Sequence, residues 1–356
     1  MIAEHRPVQR PSDARLLVID AGGRITHAPR ARFVEFLRPG DLVVANDAAT
    51  LPASLHGVHQ PSGGEIEVRL AAWIDVTAFA AVVFGAGDFH TRTEDRPPPP
   101  HFARGDRLLI GPLRATVEAL LDHPRLLALR FDGSAPTVWA GIARHGRPIQ
   151  YAHVPEALAL WDVWTPIAAR PVAFEPPSAS FVLDWSSIEA MRARGVRFAT
   201  ITLAAGISST GDAELDRRLP FDEPYCIMES TARAIAEVKA QGGRIVAVGT
   251  TVVRALEHAA AAAGVVRAGR AIATRRIGPA SCLRIVDAIL SGTHEPGSSH
   301  YELLRAFTDD HTLSAANAEF EAHGYRTHEF GDSVLVENAD AAHAALRARN
   351  PARRAA

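Results

Sequence analysis

The chain has 356 residues, 47% of them hydrophobic and 22% charged, with a formal net charge of −2. This is the balance of a soluble globular protein with room for two domains and a full core. It excludes a bilayer span, since no apolar run approaches roughly 20 residues; a disulfide framework, since only Cys226 and Cys282 are present; and a general pull towards nucleic acid.

A nucleic-acid partner would need a local basic face. The start, Met-Ile-Ala-Glu-His-Arg-Pro, lacks the basic beginning and apolar core of a signal peptide, so a cytoplasmic protein is expected. Residues 15–20 form an apolar strand candidate, and Ala21-Gly22-Gly23-Arg24 turns it into Ile25-Thr26-His27. Phe33, Phe36 and Leu37 line one face of a short helix. The turn Arg38-Pro39-Gly40-Asp41 leads into a strand over residues 42–45, which ends on Asn46-Asp47. From residue 56 to 150 short alternating segments appear (65–70, 107–110, 137–139), separated by Gly and Pro turns. They read as an antiparallel barrel-like domain inserted into an α/β body made of residues 1–55 and 151–356. Within it, Arg96-Pro-Pro-Pro-Pro-His101 reads as a stiff, extended loop or exposed tip.

After Pro171 helices and strands alternate, which argues for a mixed or parallel sheet with helical crossovers. Ser186 and Glu189 stand in capping-box spacing before a helix stopped by Gly195. Residues 198–203 form a buried strand candidate, 228–241 a helix, 333–337 a late strand and 341–349 a solvated terminal helix. The densest signal is Arg244-Ile-Val-Ala-Val-Gly-Thr-Thr-Val-Val-Arg-Ala-Leu-Glu257. Its β-branched run suits a strand buried on both faces, Gly249 turns, and Thr250 or Thr251 caps a helix that stops at Gly264. Such a turn aims free backbone N–H groups and two hydroxyls at one spot, suited to a carboxylate, phosphate or ribose. Sixteen histidines invite a metal, but the densest group (His294, His300 and His311, with Glu295, Asp309 and Asp310) has no His-Glu-x-x-His-type spacing. Phosphate-binding glycine loops and the Gly-x-Ser-x-Gly elbow are missing too.

The stretches Gly243-Arg-Ile-Val-Ala-Val-Gly-Thr-Thr-Val-Val-Arg-Ala-Leu-Glu257, Leu37-Arg-Pro-Gly-Asp-Leu-Val-Val-Ala-Asn46, Ser62-Gly-Gly-Glu-Ile-Glu-Val68, Ile285-Val-Asp-Ala288 and 325–332 resemble, in order, the S-adenosylmethionine:tRNA ribosyltransferase-isomerase family of queuosine biosynthesis. The resemblance implies an α/β body interrupted by a β-barrel. It also implies a transferase-isomerase that moves the ribosyl part of S-adenosylmethionine onto an aminomethyl-deazaguanine in tRNA, releasing adenine and methionine without a metal. Among retained positions, Glu223 and His294 become the acid/base candidates. Thr250, Thr251 and Arg254 become candidates for the methionine or ribose end, with Asn46, Gly63, Gly64, Gly206, Gly249 and Pro296 as further binding positions.

The chain departs from the family's pattern where polar side chains are expected. Ala49 and Ser54 stand in place of arginines, Val182, Ala204 and Phe221 in place of histidines. A lost arginine removes a fixed cation, and a lost histidine removes a proton carrier suited to neutral pH. The chain is therefore read as a diverged member. The alternatives are an S-adenosylmethionine-using enzyme for another small substrate, and a non-catalytic ligand- or RNA-binding paralogue.

Overall fold

Ile245–Val248 is a strand with every residue buried, as its β-branched run requires. A computed structural model describes residues 1–339, so the terminal helix expected over 341–349 lies outside the described residues. The strand sits in the middle of a nine-stranded mixed sheet. Leu42–Asn46 flanks it on one side and Ala288–Gly292 on the other, both parallel to it. Beyond Leu42–Asn46 come Arg197–Leu203, again parallel, and then Glu223–Ile227 and Gly269–Ala273, both antiparallel to their neighbours. On the other side Ser333–Glu337 runs antiparallel to Ala288–Gly292, followed by Arg15–Ile19 and Ile25–Pro29. Four adjacent parallel strands thus end together at Leu203, Asn46, Val248 and Gly292. The carboxyl edge of such a set is where α/β sheets hold ligands. Helices Glu229–Ala240 and Thr250–Ala260 cover one face through Ile235, Val238, Val252 and Leu256. Helix Trp185–Ala193 covers the other through Ile188 and Met191.

Six antiparallel strands between Ser54 and Phe131 close into a barrel. It is tied to the sheet layer by a short parallel pair, Ala48–Thr50 with Arg170–Ala173, and by the Trp73 indole donating to the Val172 carbonyl at 2.9 Å. Its outer surface also packs on the loop beyond Leu203, with Ala71, Val82 and Phe84 against Ile207, Leu215 and Leu219. This mixed α/β sheet with an inserted antiparallel barrel is the architecture expected from the sequence. Among the described residues no helix is long and apolar enough to cross a membrane.

Three local expectations need correcting. Residues 137–139 are not a strand but part of helix Ala135–His145, capped by Ser134 with a proline in its first turn. Val138 and Ile142 plug the barrel core with that helix. Helix Trp185–Ala193 is capped by Asp184 with Ser187 rather than by Ser186 with Glu189, because the Asp184 carboxylate accepts from the Ser187 N–H at 2.6 Å while the Ser187 hydroxyl accepts from the Asp184 N–H at 2.9 Å. Helix Thr250–Ala260 is capped by Gly249, and neither threonine makes a side-chain cap.

The proline stretch keeps Pro97, Pro98 and His101 exposed, and it is pinned to the barrel at its start. Arg96 at its start is buried, pairs with Glu67 and donates to the Gly87 carbonyl at 2.7 Å. Burial opposes ionisation of Glu67, but Arg69 and Arg96 outweigh it and bring its carboxyl down to about 2. The Pro97 and Pro98 carbonyls cross so close to Gly85 that an added Cβ would lie 2.3 and 2.7 Å from their oxygens. Gly85→Ala should therefore push the prolines off the barrel and cost about 1–3 kcal/mol by overpacking. Urea unfolding of both proteins measures it.

Candidate active site

The sharp turn after Ile245–Val248 needs Gly249, whose φ is 92°, a backbone region that costs little only for glycine. The turn places Thr250 at the first position of its helix, so backbone N–H groups of the first turn point beyond the sheet edge. Because Gly249 takes the cap, the Thr250 and Thr251 hydroxyls are not spent on closing the helix. Both residues line a cleft of about 590 Å³ formed by this turn, the loop after Leu203, residues 175–179 and the segment from Ser291 to Leu303.

The cleft brings together Gly206, Glu223, Gly249, Thr250, Thr251, Arg254 and His294, seven of the positions named from the sequence. Asn46 lies behind its wall, fully buried. Its side chain donates to the Leu203 carbonyl at 3.0 Å and accepts from the Leu203 and Ala48 N–H groups at 2.9 and 3.1 Å. It braces the ends of two strands and approaches the Thr251 hydroxyl only at 3.4 Å. Gly63 and Gly64 lie in the barrel turn between Ser54–His59 and Gly64–Trp73, outside the cleft lining. Pro296 is exposed and also outside it. Ala49, Ser54, Val182, Ala204 and Phe221 do not line the cleft either. Ser54 instead donates to Glu67 at 2.6 Å inside the barrel.

Glu223 and Arg254 form a buried ion pair on the floor. The second carboxylate oxygen of Glu223 accepts from the Gly206 N–H at 3.0 Å. Burial raises the Glu223 carboxyl above its ordinary value, and the pull of Arg254 does not fully offset it. The Arg254 guanidinium also donates to the carbonyls of Ala273 at 3.1 Å, Phe221 at 3.2 Å and Arg275 at 3.3 Å. Both groups are thus committed to each other and to the backbone.

His294 stacks on His300, ring centroids 4.3 Å apart and 11° from parallel. Burial, then the neighbouring His300 and His328, hold His294 well below the ordinary histidine value; burial lowers His300 as well. At neutral pH the pair is uncharged, offering lone pairs and N–H groups but no imidazolium.

The group best matched to proton transfer is one that sequence reasoning missed. Glu175 lines the same cleft, is 8% exposed, and is raised by burial to about 7. Its carboxylate accepts from the Tyr151 hydroxyl and from the Ser208 N–H at 3.1 Å. Burial pushes the Tyr151 phenol well above its usual value, so it stays a donor. An ionisable group poised near working pH in a cleft is the arrangement general acid–base catalysis favours. The available signal was a lone charge in the otherwise uncharged run Pro171-Val-Ala-Phe-Glu175-Pro-Pro177.

A family model described as queuosine biosynthesis protein matches residues 1–336. The chain is 33% identical over 362 residues to the S-adenosylmethionine:tRNA ribosyltransferase-isomerase of Sorangium cellulosum (strain So ce56), spanning 94% of this chain and 95% of that protein. It is 33% identical over 345 residues to the protein of the same name from Chlorobaculum parvum, spanning 94% and 96%. The crystal structure of the S-adenosylmethionine tRNA ribosyltransferase from Thermotoga maritima is similar in fold, with a TM-score of 0.50 at 24% identity over 94% of this chain and 96% of that one. The family match covers both the sheet and the barrel, and the chain belongs to the queuosine biosynthesis protein family.

Proposed function

We propose that the cleft binds S-adenosylmethionine and transfers its ribosyl group to an aminomethyl-deazaguanine base of tRNA, in the cytoplasm. The observation that carries this reading is Glu175, a buried carboxyl lifted to about 7 in the cleft that the Gly249-Thr250-Thr251 turn helps to form. In this reading the helix N-terminus and the two hydroxyls receive the methionine carboxylate or the ribose. Glu175 accepts a proton from the sulfonium-activated carbon, or from the aminomethyl ammonium so that the neutral amine can attack, and His294 with His300 supplies neutral hydrogen-bonding groups. The sulfonium provides the activation, and adenine and methionine leave. Arg217 and Arg276 at the rim offer charge to tRNA phosphates.

The replaced arginine and histidine positions lie outside the cleft lining, so in this reading they slow the reaction through placement of the substrate rather than through a proton carrier missing from the cleft. With S-adenosylmethionine and tRNA carrying the aminomethyl base, epoxyqueuosine should form, at a rate about 10²-fold or more below that of a relative that keeps those groups. Mass spectrometry of the digested tRNA measures it. Calorimetry should show S-adenosylmethionine binding about 10-fold weaker in Thr250→Val, the loss of roughly one hydrogen bond. Binding without product would favour a non-catalytic paralogue. Absence of binding would overturn the assignment of the cleft.

A further inference from the structure

One end of the cleft carries a second set of side chains that the ribosyl-transfer reading does not use. His153 follows the helix that plugs the barrel, whereas His328 and Glu329 precede the late strand Ser333–Glu337. The fold brings them together across 176 residues of sequence, with His153 Nε2 at 2.9 Å from Glu329 Oε2. The His328 ring lies over the His153 ring at 4.2 Å and 19°. One donor atom from each of the three lies within 4.8 Å of the others.

Four features distinguish this trio from an ordinary histidine–glutamate pair. Two imidazoles flank one carboxylate, and no hydrogen bond reaches either ring nitrogen of His328 among the described residues. His328 is one of two non-glycine residues with positive φ among the described residues, at 71°, a backbone state adopted mainly by Gly, Asn, Asp and His. Its carbonyl is fixed by the Gly331 N–H at 3.0 Å. Tyr151 stacks parallel to His153, at 6.2 Å and 10°, and supports the ring from behind. Finally, His328 and Glu329 line a pocket that adjoins the cleft and shares Glu175, His294 and His300 with it, so two of the three residues border space next to the one a substrate would fill, while His153 lines neither.

We propose that His153, His328 and Glu329 bind one divalent transition-metal ion, zinc by its ligand preferences, with the remaining coordination positions open to the cleft. Two nitrogens and one carboxylate oxygen form the ligand set of catalytic zinc sites, which keep a position for water or substrate. Magnesium and calcium prefer oxygen-rich shells and are disfavoured here. Ligands on one zinc stand roughly 3.4 Å apart when each bond is about 2.1 Å, so closing the trio on an ion requires the stacked His153 and His328 rings to tilt apart and aim one nitrogen each at it. No regular spacing in the sequence announces this site, because its ligands come from two distant loops.

A second group, His27, Glu319 and His323, provides an internal control. There both His27 nitrogens are already engaged, by Tyr325 at 2.9 Å and Glu319 at 3.1 Å, and none of the three residues lines the candidate cleft. The test is calorimetric titration of zinc into chelator-dialysed full-length protein, with cobalt absorption as a report of coordination geometry. Wild type and His323→Ala should bind one zinc ion at the cleft with equal affinity, and cobalt should give the intense visible bands of a four-coordinate site. His328→Gln and Glu329→Gln should each weaken binding by more than about 100-fold, since losing even an outer partner of a ligand costs 10–100-fold. His328 is exposed, so its variant is expected to fold, and a thermal melt checks this. Absence of saturable zinc binding in wild type would overturn the site. So would affinity unchanged in both cleft variants, or loss of binding confined to His323→Ala. The site stands or falls independently of turnover of S-adenosylmethionine.

Discussion

Arg254→Met should destabilise the protein by about 3–5 kcal/mol, because it strands a buried carboxylate without its counter-charge. Glu223 would keep only the Gly206 N–H at 3.0 Å, and three carbonyls would lose their donor. The loss should depend on pH. Burial already lifts the Glu223 carboxyl above its ordinary value while Arg254 pulls against it, so removing the cation lifts it further. A carboxyl raised on folding favours the native state at low pH, and that contribution is lost as pH rises through the raised value. Urea unfolding at pH 5 and pH 8 should therefore show the smaller penalty at pH 5. Adding Glu223→Gln should recover most of the loss, since the amide needs no counter-charge. Strictly additive effects in the double variant would show that the two groups are not coupled.

The second large effect concerns Glu175. Glu175→Gln should lower kcat by about 10²–10⁴-fold, the usual contribution of a positioned acid/base group, while leaving S-adenosylmethionine binding within a few-fold. In the wild type kcat should rise with pH through about 7, where this carboxyl ionises, and the glutamine variant should lack that limb. Stability gives an independent readout. The wild type gains from the neutral carboxyl below its ordinary value of 4.5 and loses that gain as pH rises through about 7. The swing amounts to about 3 kcal/mol by pH 8.5. Glu175→Gln should remove this slope, so the two proteins should differ in pH dependence even where neither turns over. A kcat profile unaltered in shape would assign the proton transfer to another group.

What the sequence made legible was local. The run of residues 245–248 followed by Gly249 reports a buried strand and a turn through side-chain shape alone, and both are present. The alternating pattern of residues 65–70 likewise reports a barrel strand. Errors arose where two local signals compete. Residues 137–139 alternate in polarity, yet Ser134 and Pro136 are helix-start signals, and burial of Val138 and Ile142 in the barrel core decides the matter. The threonines after Gly249 have the chemistry of caps, but glycine's positive φ lets the backbone enter the helix one residue earlier. The candidate site was half legible. Glu223, Thr250 and Arg254 sit in motifs, whereas the Glu175–Tyr151 pair and the His153–Glu329 contact exist only once segments far apart in the sequence meet. No periodicity can report a contact between loops that are strangers in sequence.

The way the chain threads its two sheets also dictates an order of assembly. Every strand of the barrel has been synthesised once residue 131 is made, the helix that plugs its core follows by residue 145, and the strand pairings are between neighbours along the chain or nearly so. The large sheet cannot close then, since Arg15–Ile19 waits for Ser333–Glu337 as its partner. At synthesis speeds of about 5–20 residues per second that wait lasts roughly 10–40 s. During it the first two strands form a hairpin with one edge unpaired, while the barrel is free to close beside it. A nascent chain stalled after the barrel should accordingly resist protease across residues 54–131 and remain cleavable within residues 15–46, and its exposed strand edge is where a trigger-type chaperone would be needed most.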